Sequence, residues 1–286
     1  PTSVREVTAA DFDGGAIEVE VETVGGEQTV YLKRSYTTAT YVVPPGTPDV
    51  VPTAPYSRWE TAATDLGTAV AAAPTDTAVR VKPGVYDITT PVAVTKRLRI
   101  ISCGPDGRIA PETTILDGGY PARSNRCMSC SSECSINGFT FRNAYTNEGA
   151  GIMASVGRVC VYDSVFTNLI TTSAGGAIRN SANNTSFIVE RCLFFDCLAS
   201  SGHAVSWWAN NGVAKAIPTR PYGQPTIIGC SILRGRSTGQ NSAGALDGSM
   251  NADLWLQDSL FEGNTVDAGN SGYNAFRIGG YSYITN

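Results

Sequence analysis

Apolar and polar residues alternate in short runs that recur along most of the chain. Five of them read Cys134-Ser-Ile-Asn-Gly-Phe-Thr-Phe, Val159-Cys-Val-Tyr-Asp-Ser-Val-Phe, Phe187-Ile-Val-Glu-Arg-Cys-Leu-Phe, Pro225-Thr-Ile-Ile-Gly-Cys-Ser-Ile and Leu254-Trp-Leu-Gln-Asp-Ser-Leu-Phe. Alternation with period two marks each run as a strand that turns one face to a core. Aligned on one another, the runs form columns. One is Cys103, Phe139, Ser164, Cys192, Cys230 and Ser259, with successive members 36, 25, 28, 38 and 29 residues apart. Phe141, Phe166, Phe194, Ile232 and Phe261 align two residues later, and Ile100, Ile136, Val161, Val189, Ile227 and Leu256 three residues earlier. A second strand in each unit supplies Met128, Met153, Ile178, Val205, Leu246 and Phe276.

Self-similarity at a period of a few tens of residues predicts a stacked architecture. The units are too short for a crossover helix. They predict an all-β fold, a right-handed parallel β-helix of about seven coils in which like side chains lie over one another. An antiparallel sandwich also shows short alternating strands, but it does not repeat its side chains column by column.

Two segments precede the repeats. Residues 57–73 place Trp59, Ala62, Ala63, Leu66 and Val70 on one helical face, with Ser57 as N-cap, and predict a helix that caps the first coil. Residues 1–50 read as a β-rich arm and linker, with 51–286 as the β-helix. In the arm, Ile17, Val19 and Val21 alternate with Glu18, Glu20 and Glu22, and Gly25-Gly26 signals a hairpin. At the other end, Tyr281 to Asn286 begins another coil. An open β-helix end exposes unpaired backbone groups, so a second copy packed head to tail, or strand addition by the arm, is expected to cover it.

Composition narrows the function classes. Charged residues make up 16% of the chain and the net charge is −4, with scattered cations, which argues against a nucleic-acid partner. No apolar run approaches the roughly 18–20 residues that span a bilayer, so no membrane insertion is expected in this segment. Of the eight cysteines, Cys127, Cys130 and Cys134 have a spacing like half a zinc site. Cys103, Cys192 and Cys230 fall in a core column, where a thiol packs as a small hydrophobe. Packing is therefore the expectation, with no metal and no cofactor. Cys192 and Cys230 share that column in consecutive coils, close enough for a bridge, while Cys160 looks exposed.

From Tyr56 onward, Pro55-Tyr-Ser-Arg-Trp-Glu-Thr-Ala-Ala-Thr, Val81-Lys-Pro-Gly-Val-Tyr, Thr114-Ile-Leu-Asp-Gly-Gly, Ile136-Asn-Gly-Phe-Thr-Phe-Arg-Asn and Gly175-Gly-Ala-Ile resemble the pectin-lyase-like superfamily. The resemblance is strongest to bacterial surface proteins with polymorphic outer-membrane-protein-type repeats. It implies a β-helix and an extracellular or cell-surface location. It says less about function, because this fold hosts lyases, hydrolases, adhesins and structural proteins. The Arg-x-Pro-x-x-Arg run of pectate lyases and the Gly-His-Gly of polygalacturonase-like hydrolases are absent from the chain.

Two places carry candidate chemistry. Just after the second-strand core column come Ser129, Ala154, Arg179, Ser206, Asp247 and Arg277. Arg179, Asp247 and Arg277 form either a ligand-binding strip or an exposed ion-pair ladder. The longest coil carries an insertion with Trp207, Trp208, Lys215, Arg220 and Tyr222. There the tryptophans either pin the loop or stack on sugars. Beside it lies His203, the sole histidine, read either as a packing residue or as a base. The leading expectation is a structural or adhesive surface module whose partner is a surface polysaccharide or itself. The alternative is a lyase on an acidic polysaccharide that uses His203, Lys215, Arg220 and Tyr222.

Overall fold

The computed structural model describes residues 16–24, 27–35, 39–104, 109–156, 158–182, 187–208, 225–239, 244–250, 254–267, 276–279 and 282–285. The chain divides into two compact units, residues 1–39 and 40–286. In the first, Ala16–Val24 and Glu27–Ser35 form the expected antiparallel hairpin, in a register that sets Val19 opposite Leu32 and Val21 opposite Val30.

The second unit is a parallel β-helix of three sheets. The chain passes from the first to the second to the third and back. Cys134–Asn137, Thr140–Thr146, Ile152–Ala154 and Val159–Tyr162, for example, lie in the first, second, third and again the first sheet. Each strand pairs in parallel with its counterparts in the coils below and above, as Val165–Thr171 does with Thr140–Thr146 and Leu193–Phe195. Register is strict. Phe141, Phe166, Phe194, Ile232 and Phe261 are successive partners, as are Ile100, Ile136, Val161, Val189, Ile227 and Leu256.

Within the first of these columns the rings of Phe141, Phe166 and Phe194 stack at 4.8 and 4.9 Å, with interplanar angles of 3° and 8°. All three are buried in the continuous core. Face-on stacking is usually offset in proteins. Here the coil spacing of about 4.8 Å, set by the backbone ladder, brings the rings together.

The corners are columns too. Between the first two sheets, Gly138, Asp163, Arg191, Gly229 and Asp258 all have φ between 47° and 82°. Each of the five donates its N–H to a carbonyl of the coil above, for instance Asp163 to Glu190 at 3.1 Å and Arg191 to Ile228 at 2.9 Å. The left-handed conformation turns the chain while leaving its backbone groups paired, so the corners continue the ladder.

Three expectations are corrected. In the third sheet Ile152, not Met153, stacks on Met128 and Ile178 in the core. Met153 faces outward and takes the place expected for Ala154, which is buried. Two adjacent apolar residues fit period two in either phase, and the branched Ile152 fills the interior. The helix is Leu66–Ala72 rather than 57–73, and its N-cap is Asp65, whose carboxylate accepts from Thr68 N–H at 2.6 Å. Ala63 cannot join it because its N–H bonds Tyr41 O and its backbone bridges Val42. Trp59 sits in a 3₁₀ turn, edge-on to Tyr41 at 4.5 Å and beneath the Lys82 ammonium. Finally, the end of the expected linker and the residues just after it, 43–53, are bound to residues 60–63. Val51 N–H bonds Glu60 O at 3.0 Å and Thr53 N–H bonds Thr61 O at 3.1 Å.

The helix still covers the first coil, packing on Thr77–Val81 and Val92–Val94 with Leu66, Ala69 and Val70 buried. An Asp65→Ala variant is expected to lose about 1 kcal/mol of stability by urea titration, the usual worth of an N-cap.

Candidate functional site

Residues that alternate with the core positions of the third sheet form a column on its outer side: Ser129, Met153, Arg179, Ser206, Asp247 and Arg277. Outer positions of a sheet normally meet water, yet Arg179 is 8% exposed, Ser206 1% and Asp247 7%. A charge removed from water needs partners. Arg179 Nη1 donates to Ser206 Oγ at 2.5 Å, and its Nε lies 3.9 Å from Glu148 Oε1 with no hydrogen-bond partner among the described residues. Its guanidinium carbon is 5.9 Å from the centre of the Trp208 ring. Asp247 Oδ2 accepts from the Ser201 hydroxyl at 2.6 Å.

The corner beside this column approaches closely. A Cβ on Gly175 would lie 2.9 Å from Arg179 Cβ, and one on Gly202 2.9 Å from Asp247 Cβ, while both glycines have positive φ. Glycine is required at both positions for the backbone to pass. The sequence thus builds a fixed cation and a fixed carboxylate two coils apart, with a hydroxyl on the coil between them and a 44% exposed tryptophan alongside. This arrangement can orient a ligand that carries both a carboxylate and hydroxyls.

Of the predicted site residues, Arg179, Asp247 and Trp208 are brought to this face, along with the backbone of Arg277. Lys215, Arg220 and Tyr222 lie outside the described residues. Trp207 points inward instead. It is fully buried, meets Phe187 edge-on at 5.6 Å and fills the space over Gly248, so it pins its coil.

His203 is interior as well. Nε2 lies 3.0 Å from Asn264 Oδ1 and Nδ1 3.4 Å from Ser237 Oγ. Asn264 in turn accepts from Gly235 N–H at 3.0 Å and donates to Ile232 O at 2.7 Å, while the Ser237 hydroxyl donates to Gly244 O at 2.9 Å. Because Asn264 Oδ1 can only accept, Nε2 carries the proton. Burial lowers the imidazole pKa to about 4, so the ring is neutral at neutral pH. This geometry makes His203 an enclosed interior residue, paired through Nε2, rather than a base at a surface groove.

Sequence reasoning did not find the inter-coil ion pairs. Arg191 grips Asp163 of the preceding coil at 2.6 and 2.9 Å and also pairs with Glu190. Arg234 grips Asp196 at 3.1 and 2.8 Å and lies 4.0 Å over the Phe195 ring. Arg236 holds Asp267 at 2.6 and 3.1 Å, and Arg142 holds Asp117 at 2.7 Å. The available signal was opposite charge at equivalent turn positions of successive units, Asp163 with Arg191 and Asp196 with Arg234. Beside the first pair an open groove of about 250 Å³ runs between Arg191 and the Ile109–Pro111 segment, over Val165 and Leu193.

The cysteines are free thiols, all buried except Cys103, which is partly exposed. Cys160, expected to be exposed, is 7% accessible on the outer side of the first sheet. Cys127 donates to Leu116 O at 3.7 Å, and Cys127, Cys130 and Cys134 are all buried in the continuous core. Among the described residues no helix is long and apolar enough to cross a membrane.

Comparison with protein-family models, curated proteins and solved structures finds no match for this chain. The features above define a parallel β-helix protein with inter-coil ion pairs and a charged, largely buried strip on the outer face of one sheet.

Proposed function

We propose that the chain is an extracellular structural and adhesive β-helix module of a bacterial surface protein, of the pectin-lyase-like kind with polymorphic outer-membrane-protein-type repeats. The observation that carries this reading is how the polar side chains are used. Arg142, Arg191, Arg234 and Arg236 each clamp an aspartate of a neighbouring coil, and His203 is enclosed with Asn264 and Ser237. Groups of the types used for acid–base chemistry here hold coils together, as a rigid scaffold needs. The partner is a surface polysaccharide held on the outer face of the third sheet, with Trp208 against a sugar ring and Arg179 toward a carboxylate. A second copy packed head to tail is the other partner this reading admits.

A second reading, a lyase on acidic polysaccharides, is favoured by one observation: Arg179 and Asp247 are charged, almost fully buried and in one column, two coils apart. A lyase neutralises a uronate carboxylate and removes the neighbouring proton, and it needs a cation and a base in one place.

One screen separates the two. Pectin, alginate and glycosaminoglycans are immobilised to measure retention, and separately incubated to measure absorbance of unsaturated uronate products. The adhesive reading predicts retention on at least one polymer, weakened about tenfold or more in Arg179→Met, a loss of the size of one charge-assisted contact, and no product. Product that disappears in Lys215→Ala or Arg220→Ala establishes the lyase. Absence of both retention and product overturns the polysaccharide partner.

A further inference from the structure

The thiols of Cys192 and Cys230 occupy one corner column in adjacent coils. In-register pairs flank them on both sides, Glu190 with Ile228 and Leu193 with Ser231. They therefore lie at the same level, separated by the strand spacing of about 4.8 Å, inside the 4.4–6.8 Å range of Cα separations that a disulfide spans. Both side chains turn into the continuous core, where Cys192 is 2% and Cys230 1% exposed. Each thiol also faces a carbonyl two residues back, Cys192 at 3.4 Å from Glu190 O and Cys230 at 3.4 Å from Ile228 O.

The position of the pair is informative. The 38 residues from Cys192 to Cys230 form the longest interval in the column, against 25 to 29 for the neighbouring intervals from Phe139 to Cys192 and from Cys230 to Ser259. A cross-link removes most unfolded-state freedom when it closes a long loop. The pair stands at the two ends of the coil that is entropically most costly to order.

We propose that Cys192 and Cys230 are a modification site that forms an inter-coil disulfide when the chain folds under oxidising conditions. The oxidant is a low-molecular-weight disulfide such as oxidised glutathione. One protein thiolate attacks it, forming a mixed disulfide and releasing one small thiol. The second protein thiolate then attacks the mixed disulfide at the protein sulfur, forming the S–S bond and releasing the other small thiol. The two protons lost by the cysteines end on the two small thiols, and the two electrons reduce the oxidant. Both sulfurs are almost inaccessible in the finished coil. Exchange therefore proceeds during folding, before the coil closes.

The test is refolding of the full chain in a glutathione redox buffer, followed by alkylation of free thiols, proteolysis and mass spectrometry. The expected result is one peptide pair linked through Cys192 and Cys230, with the intact mass lower by two hydrogens. The thermal midpoint should rise by about 5–10 °C over the same protein after reduction. Cys192→Ser and Cys230→Ser should abolish the linked pair and the reductant-sensitive rise. Both variants are expected to fold, because Ser164 and Ser259 hold the equivalent positions in neighbouring coils, with the same bond to the carbonyl two residues back. Two fully alkylated thiols in the refolded wild type, a bridge at Cys130 and Cys134 instead, or a midpoint indifferent to reductant each overturn the proposal. None of these outcomes depends on the polysaccharide reading.

Discussion

Replacement of Phe166 by alanine is expected to lower the free energy of unfolding by about 3–5 kcal/mol, the range for removing a buried ring from a packed core. Phe166 is the middle ring of the stack, 4.8 Å from Phe141 and 4.9 Å from Phe194, and it is fully buried. Alanine leaves a void between two coils that cannot move together, because their spacing is held by the backbone pairs on either side. In a solenoid, stability is the sum of coil terms and nearest-neighbour interfaces, and this change weakens two interfaces at once. The comparison is Leu260→Ala. Leu260 belongs to the same sheet but faces outward and is 51% exposed, so its loss should cost within about 0.5 kcal/mol. Denaturant midpoints for the two variants give the contrast directly. Equal losses would mean that the stacked column is not the core.

The second large effect is on pH. The folded His203 pKa is about 4, below its ordinary 6.5, because burial disfavours the cation. The unfolded chain therefore binds a proton that the folded chain refuses. Stability from this residue is fully present above pH 6.5 and is lost as pH falls toward 4. The expected loss relative to pH 7 is about 2 kcal/mol at pH 5 and about 3 kcal/mol at pH 4. Asp76 and Asp267, each held low by an arginine, lose their pairs only at lower pH, so of these three groups only His203 changes charge between pH 6.5 and 4. A His203→Asn variant removes the titration. Its urea midpoint is expected to stay flat across that window while the wild type declines. Parallel curves would place the pH dependence elsewhere.

Most of the fold was legible in the sequence because aromatic and branched residues recur at one phase of a period-two pattern. Phe141 lies between Thr140 and Arg142, so alternation alone sets its phase, while Phe166 and Phe194, which have apolar neighbours in Val165, Leu193 and Phe195, are placed by the recurrence of phenylalanine in one column. Where two apolar residues sit side by side, as Ile152 and Met153 do, alternation cannot choose the phase, and there the register was missed by one. The helix start was missed for a related reason. Ala63 suits a helix, but Tyr41 and Val42 take it as a pairing partner, a contact that local propensity cannot anticipate. At the candidate site, Arg179 and Asp247 could be placed in one column from the repeat alone. Their burial could not, because it depends on what lies over the sheet. The partners of His203 lie 34 and 61 residues away, in later coils, and no spacing rule joins them.

The most direct test of the coil-on-coil arrangement is an aromatic NOE experiment on protein with selectively labelled phenylalanine. Phe166 ring protons should show cross-peaks to both Phe141 and Phe194, and Phe141 none to Phe194, which lies two coils away. Absence of the two neighbouring cross-peaks, with all three rings assigned, would contradict the stacked interior.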